Sequence, residues 1–319
     1  MKLNRFAVFA WGVLAYNIAV ILWGAFVRAT GSGAGCGRHW PACNGVVIPR
    51  APSVETMIEF THRATSGIAM LLVFGLIIWA FRAYPKKHRV RFGAMLSTIF
   101  IIIEALLGAG LVLLGLVADD SSIARAIAMA VHLMNTFILL GALSLTAWWA
   151  SGGQPVQLRG RGAITWLYGI AFAATLFLGA SGAIAALGNT LFPPESLAQG
   201  LRQDFSPTAH FLERLRIFHP IIAILTGAYL IVLAFFSSSR YPDLGTQKFA
   251  YALTAMFVLQ VAIGAFNIIF QAPVWMQLVH LFMADIVWIL LVLTAATAFA
   301  QPEKTIYSRQ PAMAEIHAT

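Results

Sequence analysis

Eight stretches of this 319-residue chain are long and apolar enough to cross a bilayer, at about 5–27, 59–82, 91–117, 122–149, 163–187, 209–236, 247–270 and 274–300. A hydrocarbon core takes about 20 apolar residues in helical conformation. Inside it every backbone polar group must be bonded within the protein, which favours helices over isolated strands. Composition agrees: 60% of residues are hydrophobic and 10% charged, where a soluble domain carries about 25% charged residues. The expected fold is an all-α polytopic membrane protein with eight transmembrane helices. The first run, FAVFAWGVLAYNIAVILWGAF after MKLNR, is too long for a signal-peptide core and reads as a retained helix.

Lys and Arg set the orientation. With the N-terminus cytoplasmic, that face carries Lys2, Arg5, Arg82, Lys86, Lys87, Arg89, Arg91, Arg159, Arg161, Arg240, Lys248, Lys304 and Arg309. The opposite face holds the other eight of the 21: Arg28, Arg38, Arg50, Arg63, Arg125, Arg202, Arg214 and Arg216. Both termini are therefore expected inside, and the net charge of +9 reads as topology, not as a nucleic-acid footprint.

The eight runs read as two tandem four-helix bundles. AVHLMNTFILLGALSLTA in the fourth run matches LVHLFMADIVWILLVLTA in the eighth and sets His132 opposite His280. THRATSGIAMLLV lies over FHPIIAILTGAYLIV, setting His62 opposite His219. IEALLGAGLVL resembles LQVAIGAFNII with Gly108 opposite Gly264, and LWGAF parallels FLGAS with Gly24 opposite Gly179. Four helices per copy keep both copies in one orientation, a parallel repeat. The expected organisation is an N-terminal half over 1–150, a basic linker over 151–162, a C-terminal half over 163–300 and a polar cytoplasmic tail over 301–319.

Histidine inside a bilayer is costly and marks a functional site by default. One such residue is readily a packing group bonded to a carbonyl. Four of them, as two equivalent pairs on the same helices of each half, point to ligands. His62, His132, His219 and His280 fall 3 to 10 residues into their helices, or about 5–15 Å at 1.5 Å per residue, all in the outer half of the membrane. Two imidazoles on facing helices clamp an iron from both axial sides, so one porphyrin per half is expected. Zinc suits the set less, because each half offers two histidines and no intramembrane thiolate. Gly24, Gly67, Gly108, Gly179 and Gly264 are expected to make room, and Arg28, Arg63, Arg125, Arg214 and Arg216 are candidate propionate contacts.

Paired four-helix halves, the loop GSGAGCGRHWPACNG, EFTHR opening the second helix and VHL in the fourth together resemble the haem A synthase family over nearly the whole chain. The resemblance implies an oxidoreductase of the bacterial or archaeal cytoplasmic membrane. It would oxidise the C8 methyl of haem O to a formyl group through a hydroxymethyl intermediate, giving haem A for terminal oxidases. It further implies that His62 and His132 flank substrate haem O, that His219 and His280 ligate a haem b cofactor, and that Glu59 matters for activity. Haem O synthase and the terminal oxidase assembly become candidate partners beside membrane lipid, with homo-oligomerisation open.

The residues themselves support a role for Glu59. It shares a helix face with His62 three positions on, and methyl oxidation releases protons that a nearby carboxylate accepts. The repeat places Arg216 opposite it, so the acid is expected in one half only. A helix-local role, pairing with Arg63 or capping the first turn, stands beside this one. Cys36 and Cys43, six residues between them in a Gly-rich outer loop, are expected to close a disulfide, as a clasp over the pocket or as a redox-active pair. Three features depart from the family pattern: the second half has no cysteine pair, Pro220 follows His219, and Glu104 sits in the third helix where the repeat has Gln260. Proline bends a helix and leaves the ligand geometry there open. The alternative is a di-haem electron carrier of the cytochrome b kind, which would account for the histidines but not for a one-sided Glu59 and cysteine loop.

Overall fold

The computed structural model describes residues 3–158 and 160–300. The proposed tail over 301–319, with Lys304 and Arg309, lies outside the described residues, as do Lys2 and Arg159. Among the described residues the chain forms helices and no strand: α1 (Arg5–Ala29), α2 (Val54–Ala83), α3 (Arg89–Leu113), α4 (Ile123–Ala150), α5 (Ala163–Leu191), α6 (Leu197–Asp204), α7 (Phe211–Arg216), α8 (Phe218–Arg240), α9 (Leu244–Ile269) and α10 (Val274–Ala300). Counting α7 and α8 as one segment, eight of these are long and apolar enough to span a membrane, as expected for a multi-pass membrane protein.

Several boundaries differ from the hydropathy runs because capping, not apolarity, sets where a helix starts. α2 begins at Val54, where Ser53 accepts a bond from the Thr56 N–H and Glu55 stands in the positive first turn. α9 begins at Leu244 behind an Asp243 cap. The sixth span is broken at Ile217. Pro220 supplies no N–H to the carbonyl four residues back, that of Arg216, and Arg216 is where α7 ends. Pro220 then stands in the first turn of α8, where its fixed φ and missing donor are tolerated. The short amphipathic α6 was not expected at all.

Neighbours pack in the same order in each half: α1 on α2, α2 on α3, α3 on α4 and α4 on α1, then α5 on α7 and α8, α8 on α9, α9 on α10 and α10 on α5. The halves join through α4 against α5 and α10, and α1 against α10. Over half of the apolar windows of α4 and α10 is buried (56%), against 11–39% in the other spans, so these two helices form the centre. Outward-facing Leu106, Trp166, Ile224 and Val232 are exposed, an apolar belt that suits lipid. Lipid provides no hydrophobic drive between helices, so close packing of small residues matters: a Cβ at Gly93 on α3 would lie 3.3 Å from the Thr146 Cα on α4. Between α4 and α10, Phe137 stacks on Trp288 with centroids 5.4 Å apart.

Consecutive spans run antiparallel, which brings the loops after α1, α3, α5 and α9 to one end of the bundle. At the opposite end the segment after α4 is pinned to the last helix. Gln157 N–H and Arg161 Nη2 both donate to the Phe299 carbonyl, at 3.2 and 2.7 Å.

Candidate haem-binding cavity

One cavity of about 1370 Å³ opens at the loop end, and His62, His132, His219 and His280 all line it. Their helices place them at similar depth: His62 stands eight residues after Val54, His132 nine after Ile123, His219 eight after Phe211 and His280 six after Val274. The two expected sites are thus compartments of one space.

Each imidazole lies against a glycine of the preceding span. A Cβ at Gly24 would stand 2.8 Å from His62 Cε1, one at Gly108 3.6 Å from His132 Nε2 and one at Gly264 3.0 Å from His280 Cε1. For His219 the glycine is Gly182, at 3.0 Å. The expected Gly179 packs on Phe137 instead. The two glycines are three positions apart, just under one turn, and an apolar pattern alone does not fix that rotation. Gly67 lines the cavity but has nothing within 4 Å of an added Cβ.

The second-half pair suits one metal. The His219 and His280 ring centroids are 6.3 Å apart, with the planes at 86°. Two metal–imidazole bonds of about 2 Å each, plus the distance from each ring nitrogen to its ring centre, give a separation of this size. Pro220 does not spoil the approach.

The partners of the four rings differ. His219 Nδ1 lies 3.0 Å from Ser181 Oγ, whereas the buried Nδ1 atoms of His62 and His280 have no hydrogen-bond partner. His132 Nδ1 is 3.0 Å from Glu104 Oε1 on α3. Asn135 Nδ2 donates to Glu104 Oε2 at 2.6 Å, and the Thr136 hydroxyl is within reach of Oε1. Glu104 therefore has specific partners inside the membrane. Gln260, at the matching place on α9, donates to the His280 carbonyl at 3.0 Å.

Cys36 and Cys43 form a disulfide, and the loop it closes is seated on α2. Glu59 is 3% exposed and lines the cavity. Its Oε2 accepts the Cys36 N–H at 2.7 Å, while Oε1 pairs with Arg63. Arg63 also donates to the carbonyls of His39 and, at 2.7 Å, Ala42. Gly35 allows the loop to approach this closely, since a Cβ there would lie 2.5 Å from the Glu55 backbone carbonyl. Glu59 thus pairs with Arg63 and also lines the cavity.

Of the candidate propionate contacts, Arg28, Arg63, Arg125 and Arg216 line the cavity. Arg28 ties the halves together, donating to the Ala186 carbonyl, Thr190 Oγ1 and Gln277 Oε1 at 2.8, 2.6 and 2.8 Å. Arg125 donates to the carbonyls of Ala118 and Asp120 and keeps a buried, unpartnered Nε. Arg216 pairs with Asp204, donates to the Phe192 carbonyl at 3.1 Å and keeps a buried, unpartnered Nη2. Arg214 is exposed and outside the cavity lining. Two residues along a helix is about 200° of rotation, so Arg214 and Arg216 point apart.

The position matching Glu59 is Arg216, and a second acid, Asp204, reaches the cavity from outside the repeat. It lines the cavity from α6, and burial raises its carboxyl above the ordinary value although the Arg216 guanidinium pulls the other way. Nothing in the apolar spans points to it, because it lies at the end of the loop helix α6.

Residues 7–292 match the COX15-CtaA family, described as cytochrome oxidase assembly protein. A Thermus thermophilus protein named protoheme IX farnesyltransferase is 51% identical over 303 residues, which cover 95% of this chain and 50% of that protein. The chain therefore spans about half the length of that relative. A protein of Exiguobacterium sibiricum named heme A synthase is 29% identical over 287 residues, 88% of this chain and 90% of its own length. A heme A synthase of Shouchella clausii is 47% identical over 98 residues, 31% of this chain and 33% of that protein.

Proposed function

The chain belongs to the COX15-CtaA family of cytochrome oxidase assembly proteins, and on that premise we propose that it is a haem A synthase, oxidising the C8 methyl of haem O to a formyl group through a hydroxymethyl intermediate. The observation that carries this is the convergence of four histidines, two from each half, on one cavity of about 1370 Å³. The farnesyltransferase name belongs to a protein that the match covers over 50% of its length, whereas the Exiguobacterium heme A synthase is matched over 90% of its own. The proposal follows the fuller correspondence.

In this scheme His62 and His132 receive substrate haem O, and His219 and His280 hold haem b, which when bound supplies one-electron redox chemistry. The unpartnered Arg125 Nε and Arg216 Nη2 suit the carboxylates of propionate chains. Glu59 faces the substrate compartment as the proton acceptor. Arg63 and the Cys36 amide hold its carboxylate in place, and one lone pair remains free on Oε2. The disulfide loop covers the mouth. The cavity mouth faces outward, both termini lie in the cytoplasm of a bacterial or archaeal cell, and haem O synthase and the terminal oxidase assembly are the partners at either end of the reaction.

The test is expression in a host that makes haem O but no haem A, followed by chromatography and mass analysis of extracted haem. Haem A or its hydroxymethyl precursor is the expected product. Haem B and unaltered haem O in a haem-loaded protein would overturn the synthase and leave the di-haem electron carrier.

A further inference from the structure

Three of the four cavity histidines are gripped from the neighbouring span, His219 by the Ser181 hydroxyl, and the grips on His132 and His280 differ in charge. His132 Nδ1 meets the Glu104 carboxyl group at 3.0 Å. At the matching place on α9, the neutral Gln260 amide donates to the His280 backbone carbonyl at 3.0 Å and stands 3.4 Å from ring Nε2. Glu104 is not a loosely placed acid. Asn135 bridges it to the α3 backbone, donating to Glu104 Oε2 at 2.6 Å and to the Phe100 carbonyl at 3.0 Å. The Thr136 hydroxyl stands beside Oε1.

We infer that Glu104 is a positioning residue for the first-half porphyrin site, acting through His132. By accepting the Nδ1 proton it selects one ring tautomer and turns Nε2, which lies on the Gly108 side of the cavity, toward the iron. A carboxylate on the far nitrogen also makes an imidazole a more basic ligand, and losing such a partner costs about 10–100-fold in metal affinity or activity. His280 has no carboxylate among its hydrogen-bond partners, and its Nδ1 is buried and unpartnered. The two halves therefore offer their porphyrins ligands of different donor strength. The negative charge near the first iron stabilises its ferric form by Coulomb attraction, so the first-half haem is the harder of the two to reduce.

This inference rests on the proposed binding of a porphyrin in each half, and the experiment separates the two. Full-length protein is loaded with iron protoporphyrin IX, its haem stoichiometry and absorption spectrum are recorded, and both midpoint potentials are determined by redox titration. Glu104→Gln is expected to keep two bis-imidazole haems and to move the lower potential upward without touching the higher. Glu104→Ala moves it further and weakens retention of that one haem by about 10-fold or more. The reciprocal Gln260→Glu lowers the other potential, and it decides the matter should the Glu104 variants fail to accumulate. Two haems in the wild type with potentials, spectra and retention unchanged in the variants would overturn the role of Glu104 alone. A wild-type chain that takes up no haem on these histidines would overturn the haem sites themselves, and the inference with them.

Discussion

Gly24 and His62 are in direct contact across α1 and α2: a Cβ on Gly24 would stand 2.8 Å from His62 Cε1 and 3.1 Å from Nε2. This cavity-lining imidazole is thus backed by the one residue type that leaves it room. Gly24→Ala should push the imidazole out of line and cost about 1–3 kcal/mol, as overpacking does. Haem content should fall toward one per chain. Gly110→Ala is the control, since nothing lies within 4 Å of a Cβ there. Equal haem content in the two variants would show that His62 does not depend on this contact.

Glu59 does two jobs that substitution can separate. Glu59→Gln keeps an oxygen for the Cys36 N–H but removes the charge that faces Arg63. The loop should stay seated, both haems should be retained, and formyl product should be lost. Glu59→Ala also removes the Cys36 anchor of the loop, and breaking a buried ion pair costs about 3–5 kcal/mol. Product yield, haem content and protease sensitivity of the loop read the three effects. Full activity in Glu59→Gln would remove the proton-acceptor role.

The helices and the four histidines were legible in the sequence because both signals are local. A run of apolar residues declares a span, and an imidazole within it declares a cost that something must repay. Rotation about a helix axis was not legible. Gly182 backs His219 where Gly179 was expected, and Arg214 turns away while Arg216 turns in. Each of these depends on tertiary packing that apolar periodicity leaves loose. Polar segments outside the repeat were also hidden. α6 and its Asp204 carry no apolar run, yet Asp204 meets Arg216 at the cavity mouth. Glu104 was visible as an anomaly, but only the fold shows that its partner is His132.

The disulfide is placed to act as a clasp. Its loop is already anchored to α2 through Thr56 Oγ1 donating to the Gly35 carbonyl at 2.7 Å and through Arg63 donating to the Ala42 carbonyl at 2.7 Å. Replacing both Cys36 and Cys43 with serine should lower stability by about 2–4 kcal/mol while leaving two haems bound and turnover measurable. Thermal unfolding of the detergent-solubilised protein, followed through the haem absorbance, measures the first effect. Abolished turnover with unchanged stability would assign the pair a redox role instead.

Arg214 and Arg216 offer a comparison within one short helix. Arg216 is 8% exposed, pairs with Asp204 and donates to the Phe192 carbonyl and Asn189 Oδ1, so it joins α5, α6 and α7 at the mouth of the second-half site. Arg216→Ala leaves Asp204 without its counter-charge in a part-buried place, which costs about 3–5 kcal/mol when such a pair is fully buried. The second-half haem should be lost first, because its pocket wall and its spare guanidinium N–H go together. Arg214→Ala removes an exposed side chain outside the cavity and should change stability by no more than about 0.5 kcal/mol. Haem content measured beside unfolding midpoints separates the two variants. If both bind two haems with equal retention, Arg216 is a structural tie between α6 and α7 and takes no part in holding the porphyrin.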